Sequence, residues 1–294
     1  MSTSPVRRGR CPGFLLVLAA VSACAAEPPG PAVPPGSFVL TYIANEGVLL
    51  SAGERKVLVD ALFDQPNPEY RAPAPDVLVK MMSGAPPFDG VDLVLVTHDH
   101  PDHFAAPLAV RYLEAFPRAL LVAPDDAVAA MQKAAADWTR IESRVLSPAV
   151  RVGEKERLEP AGIPVTAFRT LHSGNRASPH NFMYLVELAG WRVFHEGDSS
   201  AQVEQFAGFG LGSAAIDLAL VHAWFPTSPD GERLLQEVLA PRHIALMHLP
   251  IRLDGETPAQ IDAIRKDYPD IFLLRPGMPP RVFDSGERGQ GSRR

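Results

Sequence analysis

The stretch Thr97-His98-Asp99-His100-Pro101-Asp102-His103-Phe104 places four metal-binding side chains, His98, His100, Asp102 and His103, within six positions. Imidazole and carboxylate donors at this density can hold two metal ions. The cluster follows the strand-length run Val91 to Val96, and Phe104 to Phe116 has apolar residues at helical spacing through Leu108, Tyr112 and Phe116. The donors are therefore expected on a loop between a strand and a helix.

The N-terminus reads differently from the rest. Arg7, Arg8 and Arg10 precede a short apolar stretch, Phe14 to Val21, which ends in Ser22 and Ala23 before Cys24. This is the pattern of a secretion signal over residues 1–23, and the apolar part falls short of the roughly 20 residues that cross a bilayer. Val21-Ser22-Ala23-Cys24 resembles the lipobox of bacterial lipoproteins, which implies a lipidated Cys24 and a protein anchored to a membrane of the cell envelope. Ordinary cleavage near Ala23 or Ala26 is the alternative. Cleavage removes Cys11 and leaves Cys24 as the only thiol of the two cysteines, which excludes an internal disulfide. It also removes three Arg from the 28 Lys and Arg, leaving 25 against 34 Asp and Glu, a formal charge of −9. So acidic a chain disfavours a nucleic-acid partner. Residues 24–37 are rich in Pro, Gly and Ala and read as a linker.

From Phe38 the chain alternates strand and turn signals. Phe38 to Ile43, Val48 to Ser51 and Lys56 to Val59 read as antiparallel strands, and Asp60 closes the third. The Pro-rich segment Phe63 to Gly90 reads as a long loop of the kind that forms lids. Leu120 to Ala123 and a helix over Asp125 to Trp138 follow, then strands Pro164 to Thr170, Phe182 to Leu188 and Trp191 to His195. The ends of later strands carry His172, Glu196-Gly197-Asp198, His222 and His248. Groups at the same end of successive strands converge on one rim of a sheet, which predicts an α/β fold with its site at that rim.

The order HxHxDH, His172, Gly197-Asp198 and His248 resembles the ligand series of the metallo-β-lactamase superfamily. TYIANEGVLLSAGERKVLVDALF is similar to its opening β-meander, particularly in lactonase and phosphodiesterase-like hydrolases. The resemblance implies an αββα sandwich over residues 38–284, followed by a disordered tail at 285–294. It implies one metal on His98, His100 and His172, a second on Asp102, His103 and His248, and Asp198 bridging them. Such a ligand set suits two Zn ions and also accommodates Fe or Mn. Two metals roughly 3.5–4 Å apart activate water for hydrolysis, here of an ester, lactone or phosphodiester in a small molecule or lipid. Asp198 stands where many true β-lactamases carry another residue, which makes β-lactam cleavage a lesser alternative, beside a non-catalytic metal-bound binding module. HxHxDH in place of HxExDH disfavours redox chemistry.

Other polar residues need roles of their own. Asp60 is expected to orient a ligand histidine. Asp102, His180 and His222 are the candidate catalytic residues, the two histidines as proton donors or substrate contacts at the rim. His195 is expected to pack beneath the metals and His243 to open its strand. Arg176 is a candidate contact for an anionic substrate, and Trp224 with Phe225 forms either an apolar wall or part of the core.

Overall fold

The computed structural model describes Met1 and residues 34–65, 68–174, 176–252 and 256–288. The expected signal segment and Cys24 lie outside the described residues, and among those described no helix is long and apolar enough to cross a membrane.

Two seven-stranded sheets form the centre. The first runs β14-β1-β2-β3-β4-β5-β6, from β1 (Phe38–Ala44), β2 (Gly47–Ala52), β3 (Arg55–Val59), β4 (Leu93–Leu95), β5 (Leu120–Val122), β6 (Val145–Leu146) and β14 (Arg281–Phe283). The second runs β13-β12-β11-β10-β9-β8-β7, from β7 (Lys155–Leu158), β8 (Val165–His172), β9 (Arg176–Leu188), β10 (Trp191–His195), β11 (Leu218–His222), β12 (His243–Met247) and β13 (Phe272–Leu273). The first three strands pair antiparallel, as their turn signals predict, while β3 to β6 and β10 to β13 pair parallel.

Side chains alternate between the two faces of a strand. Leu40, Val48, Leu50, Val57 and Val59 accordingly meet Val165, Tyr184, Val193 and Leu220 of the other sheet in a shared core. Leu49, Leu58 and Val94 point the other way, onto α1 (Pro75–Ser83), α2 (Ala106–Ala115) and α3 (Asp125–Ala134). The outer face of the second sheet, with Met183, Phe194, Ala219 and Leu246, is covered by α4 (Val203–Ala207), α5 (Pro229–Arg233) with the π-helical turn Leu234–Leu239, and α6 (Glu256–Asp267). The result is the expected αββα sandwich. Because strands such as β2 are buried on both faces, they read as continuous apolar runs rather than alternating ones.

Both ends of the domain are tied into it. Phe38 pairs with Phe283 in register, Trp191 packs on both rings, and its Nε1 donates to the Gly36 carbonyl at 3.1 Å. The last residues of the expected linker therefore belong to the folded domain. At the other end Ser285–Arg288 forms a 3-10 turn, so the start of the expected tail is structured, and residues 289–294 lie outside the described ones.

Within the Pro-rich stretch the structure places α1, which the sequence reading missed. Pro75 starts the helix, where a missing N–H costs nothing, and Gly84 ends it in the left-handed region at φ 66°. Met81 anchors it in the outer core. The helix expected over Asp125 to Trp138 stops at Ala134, and Trp138–Arg140 forms a separate 3-10 turn.

Candidate metal centre

β3, β4, β8, β10, β11 and β12 end at one rim, and each delivers a polar group there. The platform is Asp60, buried just after β3. Its Oδ1 accepts the Thr97 backbone N–H at 2.8 Å, and its Oδ2 accepts the Thr97 hydroxyl at 2.5 Å and stands 3.1 Å from His103 Nδ1. Since the Thr97 hydroxyl proton goes to Asp60, Oγ1 is left to accept from His98 Nδ1 at 2.9 Å. Both imidazoles are thereby held with Nδ1 protonated outward and Nε2 inward, the arrangement that presents a lone pair to a metal.

Asp198 reaches the same space because Gly197 turns the chain at φ 54°. A Cβ at that position would stand 2.8 Å from Thr97 Cβ and 2.9 Å from the Phe182 carbonyl, so only glycine fits. Asn181 then fixes the next peptide, accepting the Asp198 N–H at 3.1 Å.

The structure brings all seven expected ligands to this rim, in two groups. Donor atoms of His98, His100, His172 and Asp198 lie within 4.8 Å of one another, as do those of Glu46, His103, Asp198 and His248. Asp198 belongs to both. Its Oδ2 faces His172 Nε2 at 3.1 Å and His98 Nε2 at 3.8 Å, while Oδ1 faces His103 Nε2 at 3.7 Å and His248 Nε2 at 3.6 Å. Asp102 sits at the edge of the second group, with Oδ2 3.9 Å from His248 Nε2, and its carbonyl accepts the Asn45 amide at 3.1 Å.

Glu46, in the β1–β2 turn, is a fully buried carboxylate to which the sequence analysis gave no role. Glu196 is likewise buried, and its carboxylate binds the backbone N–H of His222 at 2.6 Å. Its position beside Gly197-Asp198 was the available clue.

Two expected catalytic histidines are placed differently. The His180 ring closes on Asp125 at the start of α3, and its backbone N–H binds Asp126 Oδ2 at 2.7 Å. His222 is wholly buried beneath Trp224, whose ring stacks on it at 3.7 Å. It therefore offers no surface to substrate. Arg176 Nη2 lies 2.8 Å from His172 Nδ1, Phe225 is in the core, and His195 bonds beneath the rim to the Glu46 carbonyl at 3.2 Å. His243 opens β12.

The cluster fits metal ions on its own chemistry. The buried Nε2 atoms of His98, His172 and His248 and Oδ1 of Asp198 have no hydrogen-bond partner. Leaving such atoms unsatisfied costs about 1–3 kcal/mol each, a cost that bound cations remove. Burial also holds His98 and His248 well below the usual histidine range, and His100 below it, so these rings are neutral and ready to ligate. Burial opposes ionisation of Asp198, but the imidazoles of His103, His172, His222 and His98 around it outweigh it and hold the carboxyl well below its ordinary range. Burial alone would lower His103; Asp198, Glu46 and Asp60 reverse this and push it up to about 10. The site thus draws positive charge to the face between His103 and Asp198.

These shifts set an acid limit. His98 and His248 are depressed in the fold, so their contribution is complete above the ordinary histidine range and is lost as pH falls and the unfolded chain takes up protons. Lowering pH below about 6.5 is expected to destabilise the chelated protein progressively and, in the loaded protein, to release metal over the same range. Denaturant midpoints and bound-metal measurements at several pH values check this, and a midpoint that rises on acidification contradicts it.

A cavity of about 350 Å³ opens beside His172, lined by Ser173, Gly174, Ser200, Ala201, Gln202 and Trp224. It is of the size that takes a small molecule or one end of a larger one.

An αββα sandwich with paired His and Asp groups at its strand ends defines a class of metal-binding α/β proteins. A β-lactamase superfamily domain matches residues 55–264, most of the chain, and the chain belongs to that superfamily in its metallo form. It is 26% identical over 250 residues to a UPF0173 metal-dependent hydrolase of Thermus thermophilus, covering 82% of this chain and 97% of that one. Among solved structures, the fold is shared with the metallo hydrolase Igni18 of Ignicoccus hospitalis, at TM-score 0.58 and 15% identity over 84% of this chain and 99% of that one. It is shared too with the metallo-β-lactamase fold protein YhfI of Bacillus subtilis, at TM-score 0.56 and 16% identity over 84% of this chain and all of that one.

Proposed function

We propose that this metal-dependent hydrolase cleaves an ester, lactone or phosphodiester bond in a small molecule or lipid at a two-metal centre. The observation that carries the reading is the placement of Asp198, whose two oxygens face two separate histidine groups. His98, His100, His172 and Asp198 would hold one ion, and His103, His248 and Asp198, flanked by Asp102 and Glu46, the other. When bound, two such ions supply an activated water and polarise the bond under attack. The nitrogen and oxygen donors suit Zn, and they equally accept Fe or Mn.

The protein's own part is positioning. Asp60 and Thr97 lock His98 and His103, Gly197 lets Asp198 approach, and Trp224 gives the cavity beside His172 an apolar flank. Ser173, Ser200 and Gln202 add polar groups to its lining. This mixture fits an ester or phosphodiester carried on an apolar group. The lipobox-like Cys24 would tether the domain to an envelope membrane, where such substrates occur.

The test is turnover of p-nitrophenyl esters, a lactone series and bis-p-nitrophenyl phosphate by the purified chain from residue 37 onward. At least one class should be hydrolysed, with activity lost on chelation and restored by Zn or Mn. Metal-loaded protein that hydrolyses none of them, nor nitrocefin, would overturn the reading in favour of a binding module.

A further inference from the structure

His222 has no place in the seven-residue ligand set, yet its surroundings match those of the ligands. It ends β11 at the same rim as the ligand-bearing strands and is entirely buried. Its Nδ1 is bonded to Glu196 Oε1, which also accepts the His222 backbone N–H at 2.6 Å. A carboxylate that accepts from Nδ1 fixes the tautomer with the Nε2 lone pair free, as Asp60 does for His103. Trp224, stacked on the ring, fixes its plane.

The free atom points into the centre. His222 Nε2 lies 3.2 Å from Asp198 Oδ1 and 2.9 Å from Glu46 Oε1. Neither contact has hydrogen-bond geometry, and Nε2, both Glu46 oxygens and Asp198 Oδ1 are all buried without partners. Three Nε2 atoms, of His103, His222 and His248, thus surround Asp198 Oδ1 at 3.7, 3.2 and 3.6 Å. Two donors bound at about 2.1 Å to one ion stand about 3.0–3.4 Å apart; the 3.2 Å of His222 falls within that range, and the 3.6 and 3.7 Å of His248 and His103 lie just beyond it. A lone pair aimed at two carboxylate oxygens is repelled unless a proton or a metal ion lies between them, and a bound ion takes the place of the proton.

We propose that His222 is a direct ligand, through Nε2, of the second metal ion, beside His103, His248 and Asp198, with Glu46 balancing its charge. The inference rests on the two-metal reading above. It gives the second ion three imidazoles and Asp198, the same donor set as the first, and assigns Glu196 the role of positioning residue.

The decisive measurement is anomalous diffraction at the metal edge from crystals of the Zn-loaded chain. The second ion is expected within about 2.0–2.2 Å of His222 Nε2. An ion on His103 and His248 that leaves Nε2 beyond bonding distance overturns this inference and preserves the two-metal reading; absence of any ion overturns both. In solution, His222→Ala should keep one tightly bound equivalent of Zn and lose the other. Glu196→Gln, which retains the shape of the side chain, should weaken only the second by about 10–100-fold. Two equivalents held by both variants at undiminished affinity would contradict the proposal.

Discussion

Replacing Asp198 by alanine is expected to strip both ions from the purified protein and to abolish measurable turnover. Among the described residues it is the only one that belongs to both groups, its two oxygens lying 3.1 Å from His172 Nε2 on one side and 3.6 Å from His248 Nε2 on the other. Loss of a residue that merely supports a ligand costs about 10–100-fold in metal affinity or activity. Loss of the shared carboxylate must exceed that at each position, and with fewer than two ions the chemistry has no second centre to draw on. Elemental analysis, kcat/KM and a circular dichroism spectrum on one preparation check the result. A folded Asp198→Ala protein with two equivalents of metal would show that the bridging assignment is wrong.

Asp60→Ala is expected to have the largest effect on stability. Asp60 sits at φ 44°, buried, and its carboxylate satisfies the Thr97 N–H, the Thr97 hydroxyl and His103 Nδ1 together. Its removal leaves a buried backbone donor unpaired and takes the nearest anion from His103. Breaking a buried charged pair in this way costs about 3–5 kcal/mol. Denaturant unfolding of the chelated proteins isolates this from the stabilisation that bound metal adds. The loaded variant should also bind the second ion about 10–100-fold more weakly, because His103 loses the partner that fixes its tautomer. A loss of stability below about 1 kcal/mol would mean that Asp60 is only a turn residue.

Much of this site was legible in the sequence for a local reason. His98, His172, Asp198 and His248 each follow a run of strand-forming residues, so strand direction alone carries them to one rim. The α/β class was equally legible from the alternation of such runs with helical spacing, while the αββα layering followed only from the resemblance to the metallo-β-lactamase superfamily. What escaped the reading is non-local. Nothing near His180 shows that its ring meets Asp125, 55 residues away, and nothing near His222 shows that Trp224 folds over it. Glu46 lies among turn-forming residues, and its burial depends on β11 and the HxHxDH loop closing around it. Helix α1 was hidden by flanking prolines, although Pro75 and Gly84 mark its ends. β6, β13 and β14, of two or three residues each, are too short to show a period and exist only through their neighbours in the sheets.

The claim on which the rest depends is that one chain holds two metal ions on either side of Asp198. Metal content of the purified protein, after saturation with Zn and removal of loosely bound ions, measures it directly. The account predicts two equivalents per chain, falling to none on chelation. A folded protein that retains no more than one equivalent at saturation would contradict it.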